Sequence, residues 1–500
     1  MYSYNIKSFS EKFELLLGKT GLMCLLVFLV NFILKLLYIT AQPLSGDEPF
    51  SVYISQMDVG AISEQLFAGN NPPLYEIILH YWVKSFGIGV FSVRVLSVLV
   101  SSLTAVFIYK IGQRFFNMQT AVVASILFLF SNYHIFFSHE ARCYGFFALF
   151  TAVSFYYFLK LLFQRHTKLD IVYYILANTL MMYLHYFSAW VLVSQGFAAL
   201  LVYFIYHKNI KTIIGSNIVV LVLLTPALYI LVQKITGNQN WDYSWLSKVT
   251  GIEPLYDNIW AFSNMPITAV CCLAVMFLFI VMLFLKKIIV SKEGLVVICW
   301  FAVIYLLMFL VSFKIPMFLN RYLMGAAIAF PLLVAYMANV VSGIRYLKYL
   351  YIILPIMFMV TVNFNADTCL HTDKMAEFVK VKKEHSKTIT LLQPHWALLS
   401  FSYYYNRDIF KQYDEKNLYK NIEAQLNKQN IYGVNLTSDS VFATLNQYTK
   451  IVFIDTDHGT CFPGNNIQNM LGSKYKLISQ NPDSLGFGYY IYVNTINEPQ

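Results

Sequence analysis

Apolar runs of nearly twenty residues recur along this chain, cut by short polar stretches. A helix needs about 20 mostly apolar residues to cross a bilayer. About eleven stretches meet that measure: 21–40, 91–112, 119–137, 145–163, 170–185, 188–206, 212–232, 266–285, 294–313, 323–341 and 347–364. The first follows Lys7, Lys12 and Lys19 as a secretory leader would, but it is too long and lacks a small-residue cleavage site, so it counts as a span. Residues 72–86 are apolar enough to compete as a further span. Beyond residue 365 the pattern changes to polar sequence with short β-type runs at 388–392, 451–455 and 488–493 and helical stretches between them.

Charge orders this pattern. Cations concentrate in cytoplasmic loops of membrane proteins, and alternate loops here are basic: Lys110 and Arg114; Arg165, His166 and Lys168; Lys208 and Lys211; Lys286, Lys287 and Lys292; Arg345 and Lys348. The opposite loops hold Asp47, Glu48, Asp58, Glu64, Glu76, Glu140, Asp242, Glu253 and Asp257. Counting 72–86 as a span would invert every later loop, so it is expected to lie at the outer interface as an amphipathic helix with Glu76 on its wetted face. The expected architecture is mainly α: a polytopic transmembrane bundle of about eleven spans over residues 1–364, with outer juxtamembrane helices in the loop 41–90. A small extracytoplasmic α/β domain follows over residues 365–500. The N-terminus is then cytoplasmic and the C-terminal domain lies on the opposite side of the membrane.

Composition agrees. The chain of 500 residues is 58% hydrophobic and 12% charged, a balance that implies a lipid bilayer as partner. Its formal net charge of +10 follows from the basic loops. No basic stripe with interleaved aromatics points to nucleic acid. Cys24, Cys143, Cys271, Cys272 and Cys299 lie in or beside apolar segments, as small hydrophobes do. Cys369 and Cys461 lie in the polar tail, where pairing is open. His395, Trp396, Tyr403, Tyr404 and Tyr405 are expected to pack the core of the tail.

The chemistry centres on Asp47 and Glu48, in Pro43-Leu44-Ser45-Gly46-Asp47-Glu48-Pro49 just beyond the first span. Two adjacent carboxylates at a membrane surface are costly to desolvate, and such pairs bind cations or move protons. They can hold Mg²⁺ or Mn²⁺, although no further ligands are identifiable from the sequence.

The ordered set of pieces resembles the GT-C class of membrane glycosyltransferases, in particular bacterial members related to protein O-mannosyltransferases and to the lipid A aminoarabinose transferase. The pieces are one apolar helix, Asp47-Glu48, surface helices, Asn71-Pro72-Pro73-Leu74-Tyr75, and Phe91-Ser92-Val93-Arg94 entering the second span. Glu140-Ala141-Arg142-Cys143-Tyr144, His185-Tyr186 and Asn320-Arg321-Tyr322 follow. The chain departs from that pattern at Asn71, where many relatives carry His or Lys, and at Pro49-Phe50, where some carry Arg.

The resemblance implies a glycosyltransferase with a polyprenyl-phosphate-linked sugar donor and a glycan, lipid or protein acceptor in the cell envelope. By that resemblance Asp47 is the catalytic base, with Glu48 orienting it, binding the sugar or holding a cation. Arg94, Arg142, Arg321 and Lys84 face the donor phosphate, and Asn71, Glu140, Tyr144, His185, Tyr186 and Tyr322 contact substrate. A single displacement with one base predicts inversion at the anomeric carbon. A polysaccharide flippase is a rival, but it needs polar or broken helices at mid-membrane. A glycan polymerase or ligase and a non-enzymatic scaffold are further rivals.

Overall fold

A computed structural model describes residues 3–69, 71–236, 248–343, 347, 349–366, 370–382, 387–414, 417–456, 462, 464, 466–482 and 487–494. Asp242, Arg345, Lys348, Cys369 and Cys461 lie outside these residues.

The chain opens with a long helix, α1 (Ser3–Leu36), followed by three shorter ones: α2 (Glu48–Ile54), α3 (Val59–Ala68) and α4 (Leu74–Phe86). Next come α5 (Val90–Phe115), α6 (Met118–Leu129), α7 (Asn132–Ser138) and α8 (Tyr144–Phe163). Among the described residues six helices are long and apolar enough to cross a membrane: α5, α8, Tyr186–Tyr206, Pro266–Phe284, Lys292–Val311 and Asn320–Ser342. The pair α6 and α7, bent by 61°, makes a seventh if counted as one span.

Of the roughly eleven expected crossings, six or seven thus meet this measure of length and hydropathy among the described residues. The other apolar runs are helical but interrupted or short. Thr20–Leu36, Lys211–Leu223 and Leu350–Thr361 have 10–17 residues of apolar helix, and 12 residues advance only about 18 Å at 1.5 Å per residue. The 72–86 stretch is not a span. Pro72 and Pro73 precede α4, which buries Tyr75, Glu76, Leu79, His80 and Val83 and exposes Tyr81 and Phe86. Glu76 was expected on the wetted face and lies on the buried one.

Asn320–Ser342 runs almost wholly buried through the centre of the bundle, whereas Pro266–Phe284 turns Val270, Phe277 and Phe284 outward. An all-round apolar helix with so much exposed surface is stable only where lipid covers it.

The C-terminal region folds around a mixed five-stranded sheet: β1 (Thr388–Gln393), β2 (Ile431–Gly433), β3 (Lys450–Asp455), β4 (Lys476–Asn481) and β5 (Gly488–Val493), in the order β2-β1-β3-β5-β4. Strands β2, β1 and β3 are parallel, and β5 is antiparallel to β3 and β4. β1 is buried along its whole length, as a central strand covered on both faces should be. Tyr403 is buried here as expected, but Trp396 stands 47% exposed and does not belong to the core.

Helices α5 and α6 meet at Gly112. A Cβ there would sit 2.5 Å from the Ala121 Cα, so glycine is what lets the two backbones touch. Gly112→Ala should push the helices apart at a cost of about 1–3 kcal/mol, read as a lower melting temperature in detergent. Gly196→Ala, which meets nothing within 4 Å, should not lower it.

Candidate active site

The site begins with the loop that closes α1. Gly46 adopts φ +55°, a left-handed conformation open to glycine at little cost. The resulting turn is closed by the Glu48 N–H donating to the Ser45 carbonyl at 3.1 Å, and it sets Asp47 at the N-cap of α2. Asp47 makes no side-chain capping bond. Its carboxylate is half exposed, with Oδ2 at 3.4 Å from Arg321 Nη1 and 3.8 Å from Arg142 Nη2.

Glu48 points the other way and is buried. Its Oε1 accepts from Arg94 Nε at 2.8 Å and from the Ala141 N–H at 2.9 Å. Its Oε2 accepts from Arg94 Nη2 at 2.6 Å and from the Ser45 N–H at 3.1 Å. Arg94 also donates through Nη1 to the carbonyls of Ile39 and Gln42, and through Nη2 to that of Pro43. A guanidinium has five N–H donors, and all five are engaged. This corrects the expected phosphate-binding role of Arg94: it has no donor left for a phosphate. It also corrects the shared role of Glu48, whose carboxylate is saturated by four donors. Asp47 and Glu48 diverge and do not chelate one ion together. Among the described residues no group of three or more His, Cys, Asp or Glu is placed to hold a metal.

Arg142 lies between two acids. Nη1 donates to Ser51 Oγ at 2.6 Å and lies 3.6 Å from Glu76 Oε1. Ser51 Oγ in turn donates to Glu76 Oε1 at 2.7 Å. The Arg142 Nε is buried without a partner. Burial raises the Glu76 carboxyl above its ordinary range, while the Arg142 charge pulls it back.

A cavity of about 770 Å³ opens beside Asp47, within the size range of small-molecule sites. Asp47, Glu140, His139 and Arg321 line its polar side, with Asn132, Asn320 and Asn363, and the paired Glu48 and Arg94 reach its edge. Tyr38, Phe136, Phe137, Phe364 and Leu370 line its apolar side. Glu140 Oε2 is buried with no hydrogen-bond partner. Burial, reinforced by the nearby Glu48 charge, pushes this carboxyl up to about 8, so it carries its proton at neutral pH.

The remaining expected residues divide. Tyr322 stacks on Phe187 at 4.3 Å, and its ring lies 5.3 Å from the Arg321 guanidinium, which it supports. His185 is buried against Phe147, accepts the Phe187 N–H at Nδ1, and is held down to about 3 by burial. It is therefore neutral and props the Tyr322 cluster. Tyr144 is buried between Phe137 and His185, and the Tyr186 hydroxyl is buried without a partner. Lys84 is exposed at the far end of α4, and neither it nor Asn71 lines the cavity.

Sequence reasoning missed Ser51, His139, Asn132 and Asn363. Only His139, immediately before Glu140, adjoins one of the motifs. The others are single polar residues in apolar or turn sequence, with no spacing to mark them.

Residues 70–236 match the family described as dolichyl-phosphate-mannose-protein mannosyltransferase. No curated protein matches the chain by sequence. The fold is similar to that of ArnT from Cupriavidus metallidurans in the apo state, at a TM-score of 0.56 and 10% identity, covering 95% of this chain and 99% of that one. It is equally similar to ArnT bound to undecaprenyl phosphate, with a TM-score of 0.56, 11% identity, and coverage of 97% of this chain and 100% of that one.

Glu48→Ala should leave the Arg94 charge buried and unpaired. A cost of about 3–5 kcal/mol is expected, seen as loss of the folded protein from detergent extracts, whereas Asp47→Ala should melt near the wild-type temperature. The raised Glu140 carboxyl predicts a sign for pH. Between its unfolded value near 4.3 and about 8 the folded protein holds more protons than the unfolded one, so stability falls as pH rises through that window. Glu140→Gln should flatten the decline in melting temperature between pH 5 and 8.

Proposed function

From its place among the membrane glycosyltransferases of the GT-C class, we propose that this protein moves a sugar from a polyprenyl-phosphate donor onto a hydroxyl of a cell-envelope glycan, lipid or protein. The reaction takes place at the extracytoplasmic face, with the N-terminus in the cytoplasm and the C-terminal sheet domain outside. The observation that carries this reading is the state of Asp47: the neighbouring carboxylate is saturated, while this one faces a cavity between two arginines.

Asp47 acts as the general base. It takes the proton of the acceptor hydroxyl as that oxygen bonds to the anomeric carbon, and the bond from that carbon to the phosphate oxygen breaks. One displacement inverts the anomeric centre. The leaving phosphate gains negative charge, and guanidinium groups at this distance stabilise such charge well. In the resting protein Arg321 and Arg142 rest on Asp47 at 3.4 and 3.8 Å, longer than a good charged hydrogen bond. A phosphate entering the cavity, which Arg321 lines, offers that guanidinium a better partner. Transfer of Arg321 to the phosphate opens that side of the Asp47 carboxylate to the acceptor hydroxyl. The apolar wall with Phe136 and Phe364 suits the first isoprene units.

The test is to bind undecaprenyl phosphate to the full chain in nanodiscs and to follow envelope glycans by mass spectrometry in cells. Arg321→Ala should weaken undecaprenyl phosphate binding about tenfold or more. Asp47→Asn should retain binding and lower product by about 10²–10⁴-fold, the range of general base catalysis. Wild-type product from Asp47→Asn would remove the base from the mechanism.

A further inference from the structure

The C-terminal sheet domain reaches directly into the loop that carries Asp47. The helix Ala397–Tyr405 follows β1 through Pro394, His395 and Trp396 and is seated on the sheet, with Leu398 against Gly433. Its last turn contacts the loops that join the membrane-side helices at two points. Tyr404 Oη accepts the backbone N–H of Leu44. Tyr403 Oη donates to the Ile88 carbonyl at 2.7 Å, just before α5, the helix that holds Arg94. A third contact comes from the following segment: Tyr53 Oη of α2 donates to the Leu418 carbonyl at 2.8 Å, and its ring meets Phe410 edge-on at 5.5 Å. Asp47 is thus bracketed, with one anchor three residues before it and another six residues after it.

The two anchors do different work. Tyr53 fixes the axis of α2. Leu44 holds the turn jointly with the Glu48–Arg94 pair, which ties the Pro43 carbonyl and the Ser45 N–H on either side of it, and only Ser45 and Gly46 separate it from Asp47. Leu44 is fully buried, so without Tyr404 its N–H would face no acceptor there, and a buried orphan amide is costly. The loop would shift to satisfy it. Gly46, with no Cβ and nothing within 4 Å of where one would be, offers little resistance to that shift.

We propose that Tyr404 is a positioning residue for sugar transfer: through the Leu44 amide it sets the height of the Gly46 turn and so the place of Asp47 over the cavity. The C-terminal domain is then part of the active site. The inference rests on Asp47 being the base. A misplacement of about 1 Å at a reacting group can cost about a hundredfold in rate, with little change in how tightly the donor lipid binds.

Tyr404→Phe removes one oxygen and keeps the ring. In full-length protein in nanodiscs, hydrogen exchange over residues 42–48 should quicken while the rest of the chain keeps its protection. Affinity for undecaprenyl phosphate should stay within about twofold, and glycan product in cells should fall at least about tenfold. Tyr404→Gln, which returns an acceptor, should recover part of that loss; Tyr404→Leu should not. Wild-type product and exchange in Tyr404→Phe would overturn the inference. So would a variant in which melting temperature and undecaprenyl phosphate affinity drop together with product, since that reports general unfolding. Asp47→Asn measured alongside separates the two readings. If it is inactive while Tyr404→Phe is fully active, the positioning role alone is wrong. If Asp47→Asn is active, the base assignment is wrong, and the positioning role, which needs that base, goes with it.

Discussion

The buried ion pair of Glu48 and Arg94 is the constraint on which the rest of the site depends. The carboxylate gathers the Gly46 turn, the start of α5 and the Ala141 amide beyond α7, and the guanidinium adds the Ile39 carbonyl just after α1. These segments lie far apart in sequence, and no continuous element joins them. A charge pair this deep is tolerable only when every donor and lone pair finds a partner, and here they do. The strength of the pair is therefore geometric as much as energetic. It fixes the backbone on both sides of Asp47 while leaving the Asp47 side chain out of the bargain.

That division of labour could not be read from the sequence. Adjacent residues at a helix start point about 100° apart, so one acid turns into the protein and the next toward the cavity. Nothing in Asp-Glu says which. The ordered motifs did place Asp47, Glu140, Arg142 and Arg321 on one end of the bundle, and these do come together. Arg94 belongs to the same neighbourhood, but its five donors are satisfied internally, a fact that only coordinates supply. Glu76 misled for a related reason: an acid on an amphipathic helix normally marks the wet face, and here Arg142 and Ser51 draw it inward.

The helical class was legible because apolar runs of this length leave few alternatives. The breaks within those runs were not. Hydropathy continues smoothly through breaks that only backbone geometry reveals, as between Leu129 and Asn132 or at Leu224. In the sheet domain, β1, β3 and β5 gave strong apolar runs, whereas β2 has three residues and β4 is exposed nearly throughout. Neither leaves a pattern that burial would have imposed.

The bend between α6 and α7 carries a mechanical consequence. α7 supplies Asn132, Phe136 and Phe137 to the cavity wall, while α6 passes through the apolar bundle. At the corner Asn132 is tied to Asn264, and its Oδ1 receives the Asn363 amide. A change in bilayer thickness that tilts α6 is therefore carried through the elbow to the chamber itself. A tilt of α6 would thus reach the cavity wall at Asn132, Phe136 and Phe137 without contact to anything bound there.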